Sequence, residues 1–213
     1  MLYILLGPPG SGKGTQAKIL SEKLHLHNLG MGDLIRDEIK KNTDMGKRFV
    51  KFESEGALVP NELTNILIKE KFKSIGVNEN YVIDGYPRSI PQLPGIEEYI
   101  QKKDVVVFNI IIEPESIAKR LSKRLICEQC GKIFIQEENK EISNCDKCGG
   151  KLIKRNDDSN IKSVEKRIDT YNNSTKAVID YFRTNGLLVD INGEPSIEEV
   201  SKEIWNKLNA RKN

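Results

Sequence analysis

Gly7-Pro8-Pro9-Gly10-Ser11-Gly12-Lys13-Gly14-Thr15 is the stretch on which the fold of this chain turns. It directly follows the apolar run Leu2–Leu6 and precedes a segment with Ala17, Leu20 and Leu24 at helical spacing, which predicts a helix from about Lys13 to Leu24. Strand, glycine-rich loop and helix in that order form an anion cradle. The glycines let backbone N–H groups turn inward, and the helix N-terminus adds its positive dipole end. Lys13 adds a mobile point charge for the outer phosphates of a nucleotide. G-x-x-x-x-G-K is the spacing of a phosphate-binding Walker A loop, so Gly10, Ser11, Gly12, Lys13, Gly14 and Thr15 are the expected phosphate ligands. One feature departs from the general pattern: Gly14 follows the lysine, and the hydroxyl comes one residue later, at Thr15.

Outward from the loop, further apolar runs lie at Tyr81–Ile83, Val105–Ile112 and Leu187–Ile191, with a shorter one at Asn28–Leu29. Runs apolar at nearly every position suit strands buried on both faces, as in a parallel sheet. Segments of helical period lie between them, marked by Leu63, Ile66 and Leu67, and by Ile197, Val200, Ile204 and Leu208. The alternation predicts an α/β fold with a five-stranded parallel sheet flanked by helices. With 213 residues the chain suits one core carrying insertions. Its 38% hydrophobic content rises to about 45% with the 16 Gly, enough for a sizeable core.

Charged residues make up 31%, yet the net charge is only +3, with Lys and Glu interspersed as on solvated helix faces. A nucleic-acid binder more often carries a strong basic excess, so no nucleic-acid partner is expected. Met1–Leu6 has no basic lead-in, and the run Val105–Ile112 is interrupted by Asn109, far short of the ~20 residues of a membrane span. The expectation is a cytoplasmic protein with no membrane partner, and a monomer.

Cys127-Glu128-Gln129-Cys130-Gly131 and Cys145-Asp146-Lys147-Cys148-Gly149 are two C-x-x-C-G knuckles inside a stretch, 127–154, that has no long periodicity. Four thiolates at this spacing match a structural Zn2+ ribbon. A redox pair, disulfides, an iron-loaded tetrathiolate site and a ribbon that binds nucleic acid are the competing readings. Four cysteines leave no open position on the metal, so it would have no part in chemistry.

Asp84-Gly85-Tyr86-Pro87-Arg88 closes the second long strand run. Asp84 at a strand's carboxyl end can organise the water shell of Mg2+, and Arg88 can reach phosphates bidentately. With the phosphate loop, this stretch resembles the adenylate kinase family. The matching segments are GPPGSGKGTQA at Gly7–Ala17, GDLIR at Gly32–Arg36, ALVP at Ala57–Pro60 and DGYPRSIPQ at Asp84–Gln92, and the likeness runs through the cysteine insert to the C-terminus.

The resemblance implies a P-loop NTPase fold with an inserted AMP-binding flap and a zinc-ribbon lid. The core would comprise 1–29, 60–122 and 161–213, the AMP-binding part 30–59 and the lid 123–160. The implied reaction is ATP + AMP = 2 ADP with Mg2+. By position, Arg36 and Arg88 would grip the AMP phosphate, Met31, Ala57, Leu58, Val59, Gly85, Tyr86 and Pro87 would line its pocket, and Gln92 would read adenine. The related pyrimidine kinases usually carry Asn there, so Gln92 favours AMP. Arg120, Ile133, Phe134 and the Gly193-Glu194 loop would lie at the ATP base. Arg124, Arg155 and Arg167 would converge on the transferring phosphoryl, positioned by Asp157 and Asp158.

Two departures stand out. Met31 replaces a frequent Thr, and the Asp158–Arg167 spacing is one residue longer than usual, with Ile168 and Tyr171 selecting Arg167 over Lys166. Arg48 and Arg183 read as solvated, and His25 and His27 as structural or solvated residues of the turn before Asn28. The acceptor is already an anionic phosphate oxygen, so the reaction asks for positive charge and alignment, not for a general base.

Overall fold

The computed structural model describes residues 1–76, 78–102, 104–136, 142–158 and 160–211. Its elements run β1 (Leu2–Leu6), α1 (Lys13–Leu24), β2 (His27–Gly30), α2 (Met31–Lys40), α3 (Asp44–Ser54), α4 (Asn61–Ile75), β3 (Tyr81–Asp84), α5 (Glu97–Lys102), β4 (Val105–Ile111), α6 (Pro114–Ser122), β5 (Arg124–Cys127), β6 (Ile133–Ile135), β7 (Leu152–Lys154), α7 (Ile161–Thr170), α8 (Lys176–Thr184), β8 (Leu188–Asn192) and α9 (Ile197–Ala210).

Among the described residues, five strands form a parallel sheet in the order β2-β3-β1-β4-β8. The unbroken apolar runs have their cause here. Leu2, Ile4, Ile83 and Val107 face one core with Leu67, Phe72, Ile179 and Phe182, while Tyr3, Leu5, Val82 and Phe108 face a second with Ala17, Leu20, Val200 and Ile204. The family-implied P-loop fold and the five-stranded parallel sheet are both present.

Ligands of open parallel sheets bind beyond the carboxyl ends of the strands. The register places the chemistry there. Leu5 pairs with Asp84 and Leu6 with Asn109, so the loop after β1 emerges beside the end of β3. Two insertions interrupt the alternation of strand and helix. Helices α2 and α3 form a hairpin between β2 and α4, tied by Thr43, whose Oγ1 accepts from Gly46 N (2.9 Å) at the start of α3. Gly46 lies so close to α2 that a Cβ there would sit 2.1 Å from Glu38 O. The second insertion is a three-stranded antiparallel sheet, β6-β5-β7, over a small core of Leu125, Cys127, Cys145 and Leu152. Residues 137–141 of the 127–154 insert lie outside the described residues.

Details differ from the sequence expectations by about a residue at strand ends, since β3 extends to Asp84 and β8 covers Leu188–Asn192. His27 is not in a turn. It opens β2, with its ring 5.6 Å from that of Tyr81 and its Nε2 3.7 Å from Glu79. His25 ends α1 at a positive φ of 52°. Arg183 is not simply solvated, because it pairs with Asp180 (2.9 Å) and Asp190 (3.1 Å).

Candidate active site

The loop after β1 wraps tightly because its glycines leave no alternative. Gly7 has a φ of 145°, and a Cβ there would meet Ile110 O at 2.4 Å. Gly12 ends the loop at a φ of 89° and begins α1. Lys13 Nζ donates to Pro8 O (3.1 Å), and the buried Ser11 Oγ has no partner. The glycine after the lysine also has a structural reason. A Cβ on Gly14 would lie 2.8 Å from Asp84 Oδ2, so this position is bare to admit the carboxylate. Asp84 Oδ1 is buried without a partner. An orphaned carboxylate oxygen beside a phosphate loop fits a role in holding the water shell of Mg2+. Burial pushes the Asp84 carboxyl up, against the pull of Lys13 and Arg88.

Arg88 is held at several points. Its N–H donates to Gln92 Oε1 (2.7 Å), its Nε donates to Gly85 O (2.7 Å), and its carbonyl accepts from Thr175 Oγ1 (3.1 Å). Gln92 is 1% exposed, and its Nε2 donates to Thr64 Oγ1 (3.1 Å), so both ends of the amide have protein partners. The Tyr86 hydroxyl lies within hydrogen-bond reach of Gln92 O (2.7 Å) and of Asn65 Oδ1, with one proton to give between them, and the Tyr86–Pro87 peptide is cis. Met31 is 3% exposed and packs in the main core at the start of α2. Arg36 is paired with Asp33 (2.5 Å). A crevice is lined by Gly7, Lys13, Ala57, Leu58, Gly85, Arg88 and Arg167, with Val59 buried behind.

Strand β5, the segment 155–158 and α7 meet in an ion cluster. Arg124, on β5, donates through Nε to Asp158 Oδ2 and through Nη2 to Oδ1, both at 2.6 Å. Arg155 does the same to Asp157 (2.9 and 2.6 Å). Arg167, from α7, donates to Asp158 Oδ1 (2.6 Å) and the Asp157 carbonyl (3.2 Å). Lys166 points away to Glu55 (3.2 Å), so helix phase brings Arg167 into the cluster.

Positive charge outnumbers negative at this edge, and the pKa values record it. Burial lowers Lys13 to about 7, with Arg88, Arg167 and Arg124 adding repulsion that Asp84 only partly offsets. Burial and Arg167 lower Arg88 to about 10, and burial and Arg155 lower Arg124 to about 10. Burial alone would raise Asp157, but Arg155 and Arg167 outweigh it and hold the carboxyl well below its usual range. Such a surplus suits a polyanion.

Arg120 Nη2 donates to Glu194 O (3.0 Å), and the Glu194 carboxylate accepts from Glu113 N (2.7 Å) and Ser116 Oγ (2.9 Å). The two sequence-predicted base-site residues are therefore in contact. Ile133 and Phe134 lie on β6, where Phe134 packs on the small lid core beneath Lys132 Nζ, 5.0 Å from its ring.

The four cysteine sulfurs all lie within 4.8 Å of one another. Cys127 and Cys148 Sγ are 3.5 Å apart, and Cys130 and Cys145 Sγ 3.6 Å. A disulfide needs about 2.05 Å. Sulfurs around a tetrahedral zinc at about 2.3 Å stand about 3.8 Å apart, which fits this cluster. Backbone N–H groups of Cys130 and Lys147 face Cys127 Sγ (3.5 Å) and Cys145 Sγ (3.4 Å), and the Cys130 amide helps hold the Cys127 thiol low, at about 6. Gly131 and Gly149 take positive φ, 69° and 72°, as the turns behind the second cysteines require.

Sequence reasoning missed three contacts at the site. These are the Glu55–Lys166 pair, the seat of Gly56 against the buried Ser163, and the bond from Thr175 to Arg88. Only the glycine carries any local sequence signal.

Phosphate loop, carboxylate, converging arginines and cysteine lid together define a nucleoside monophosphate kinase. The family profile described as adenylate kinase matches residues 5–187. Adenylate kinases of Caldanaerobacter subterraneus subsp. tengcongensis (37% identical, 98% of this chain and 96% of that one), Archaeoglobus fulgidus (38%, 96% and 96%) and Acetivibrio thermocellus (34%, all of both) are similar along their length. The chain belongs to the adenylate kinase family, whose reaction is ATP + AMP = 2 ADP with Mg2+.

Proposed function

We propose that the chain performs this reaction with Lys13 and the phosphate loop on ATP, Arg36 and Arg88 on the AMP phosphate, and Arg124, Arg155 and Arg167 around the transferring phosphoryl. The approach of Arg167 to Lys13, Arg88 and Arg124, close enough to help depress the pKa values of all three, carries the reading. Those cations offset the repulsion between two polyanions and the charge spread over the phosphoryl oxygens. Arg120 and the Gly193-Glu194 loop hold the ATP base, with Ile133 and Phe134 above it. Met31, Ala57–Val59, Gly85–Arg88 and Gln92 surround the AMP nucleoside. Asp84 would hold the water shell of Mg2+, which would supply charge neutralisation at the outer phosphates. Zn2+ held by Cys127, Cys130, Cys145 and Cys148 supplies folding free energy to the lid and no chemistry.

The functional parts are a core of 1–29, 60–122 and 161–213, an AMP-binding flap at 30–59 and a lid at 123–160. Closure of flap and lid excludes water, which competes as acceptor. No described helix is long and apolar enough to cross a membrane. A cytoplasmic monomer acting on ATP, AMP and ADP, without nucleic-acid partners, agrees with the mixed surface charge.

The test is Arg88→Lys. Lysine keeps the charge but cannot anchor Nε on Gly85 O while presenting two further donors to a phosphate. Turnover measured by coupled ADP detection should fall about a hundredfold or more with the fold intact. Near-normal turnover would remove Arg88 from the site.

A further inference from the structure

Ile161 to Thr184 runs as one helical rod with a single irregularity, a π turn at Tyr171–Thr175 closed by the Lys176 N–H donating to Tyr171 O. Such an inserted residue inside a helix frequently sits at a functional site. Here its geometric effect can be worked out. Arg167 and Thr175 are eight positions apart in sequence. On an uninterrupted α-helix eight residues turn about 800°, leaving the two side chains about 80° apart in azimuth. An inserted residue lets eight residues occupy the rotation of seven, about 700°, within about 20° of two full turns. The π turn therefore puts Thr175 on the face of the rod that carries Arg167. Thr170, Tyr171 and Thr175 line the same crevice as Lys13 and Arg88.

Thr175 is 4% exposed, and its Oγ1 donates to the main-chain carbonyl of Arg88, a residue 87 positions away. That carbonyl lies on the turn after β3, and the Arg88 N–H is already taken by Gln92 and its Nε by Gly85 O. Without Thr175 one side of the Arg88 peptide is left to swing.

We propose that Thr175 is a positioning residue for phosphoryl transfer. Its hydroxyl fixes the Arg88 backbone, and the π turn makes the rod that carries Arg167 the support that aims Arg88. The two arginines, which approach the reaction from different segments, are thereby set relative to each other by one rigid element. The inference rests on Arg88 acting at the acceptor phosphate, and its test separates the two claims.

Steady-state kinetics for both substrates, with thermal melting, should be measured for the native enzyme, Thr175→Val, Thr175→Ser and Arg88→Lys. Valine keeps the shape and loses the donor; serine keeps the donor. Thr175→Val should lower kcat about three- to tenfold, the loss of one hydrogen bond that aligns the transition state. KM for ATP should stay unchanged, because the phosphate loop is untouched, and Thr175→Ser should recover most of kcat. A purely structural threonine would instead lower the melting temperature and leave the kcat of the folded fraction intact. If Thr175→Val keeps kcat within twofold while Arg88→Lys is slow, the positioning role is wrong and the Arg88 reading stands. If Thr175→Ser is as slow as Thr175→Val, the hydroxyl is not the agent and the proposal falls. If Arg88→Lys itself turns over normally, both fall.

Discussion

Asp158→Asn is the substitution that most directly probes the ion cluster. Both carboxylate oxygens of Asp158 accept charged hydrogen bonds, Oδ1 from Arg124 Nη2 and Arg167 Nη1 and Oδ2 from Arg124 Nε, all at 2.6 Å. Asparagine has the same shape but only one acceptor end, so either orientation sets an NH2 group against a guanidinium N–H. The side chain is only 3% exposed, and that of Arg124 only 10%, so water cannot take over the lost role in this arrangement. Breaking a buried ion pair by removing one partner costs about 3–5 kcal/mol. The retained acceptor end puts this case near about 3 kcal/mol. In a chain of this length each kcal/mol is about 2–4 °C, so the melting temperature should fall about 6–12 °C. If the same energy orients Arg124 and Arg167 for transfer, turnover falls about a hundredfold, at about 1.4 kcal/mol per tenfold. Differential scanning calorimetry without nucleotide and coupled ADP detection measure the two effects. A melting temperature within about 1 °C of native, with turnover within about threefold, would refute the claim that Asp158 organises these arginines in the ligand-free chain.

Cys145→Ser with Cys148→Ser should remove roughly one zinc per chain and cost stability more than low-temperature turnover, since structural zinc contributes ~10–16 kcal/mol of apparent binding energy to small ribbons; metal-free native protein of unchanged stability rejects the zinc assignment. Lys13, lowered to about 7 by burial and its cationic neighbours, is raised again by a bound polyphosphate, so ATP binding above that pH should take up a proton and weaken as pH rises through it. Calorimetry at pH 8 in buffers of different ionisation heat reads the uptake, and none would reject it. Gly56→Ala places a Cβ 2.7 Å from the Ser163 carbonyl at a φ of 64°, so KM for AMP should rise about tenfold with KM for ATP unchanged. Equal rises for both substrates would mean that the contact does not belong to flap closure.

What could be read without coordinates was what the chain states locally. The phosphate loop, the two cysteine knuckles and the buried strands are each written in contiguous residues with their own physical logic, and α1 falls on Lys13–Leu24 as its periodicity predicts. The likeness to a known family named the arginines, but their arrangement comes from where separate segments land. That Asp158 serves both Arg124 and Arg167, while Arg155 takes Asp157, depends on β5, a short 3-10 turn and α7 meeting. The π turn and Thr175 were invisible because Tyr171–Thr175 has no composition that marks an inserted residue. Gly14 shows the middle case. The sequence displays the departure from the usual loop, and only the nearness of Asp84 explains it.

The site balances two opposing needs. Arginines that met no carboxylate would repel one another and drive the lid away, while arginines fully satisfied by carboxylates would have no reason to bind phosphate. Asp158 resolves this for Arg124 and Arg167 by engaging only part of each fork. Arg124 uses Nε and Nη2 on Asp158, and Arg167 uses Nη1. Arg88 goes furthest. Its Nε is tied to Gly85 O, its main chain is tied to Gln92 and Thr175, and neither Nη1 nor Nη2 has a hydrogen-bond partner among the described residues. A guanidinium fixed by its inner nitrogen presents its two outer nitrogens in one plane, the geometry that matches two oxygens of a phosphate. On the proposed reading this geometry is set before a nucleotide arrives, and the nucleotide would supply the missing negative charge to a frame already built.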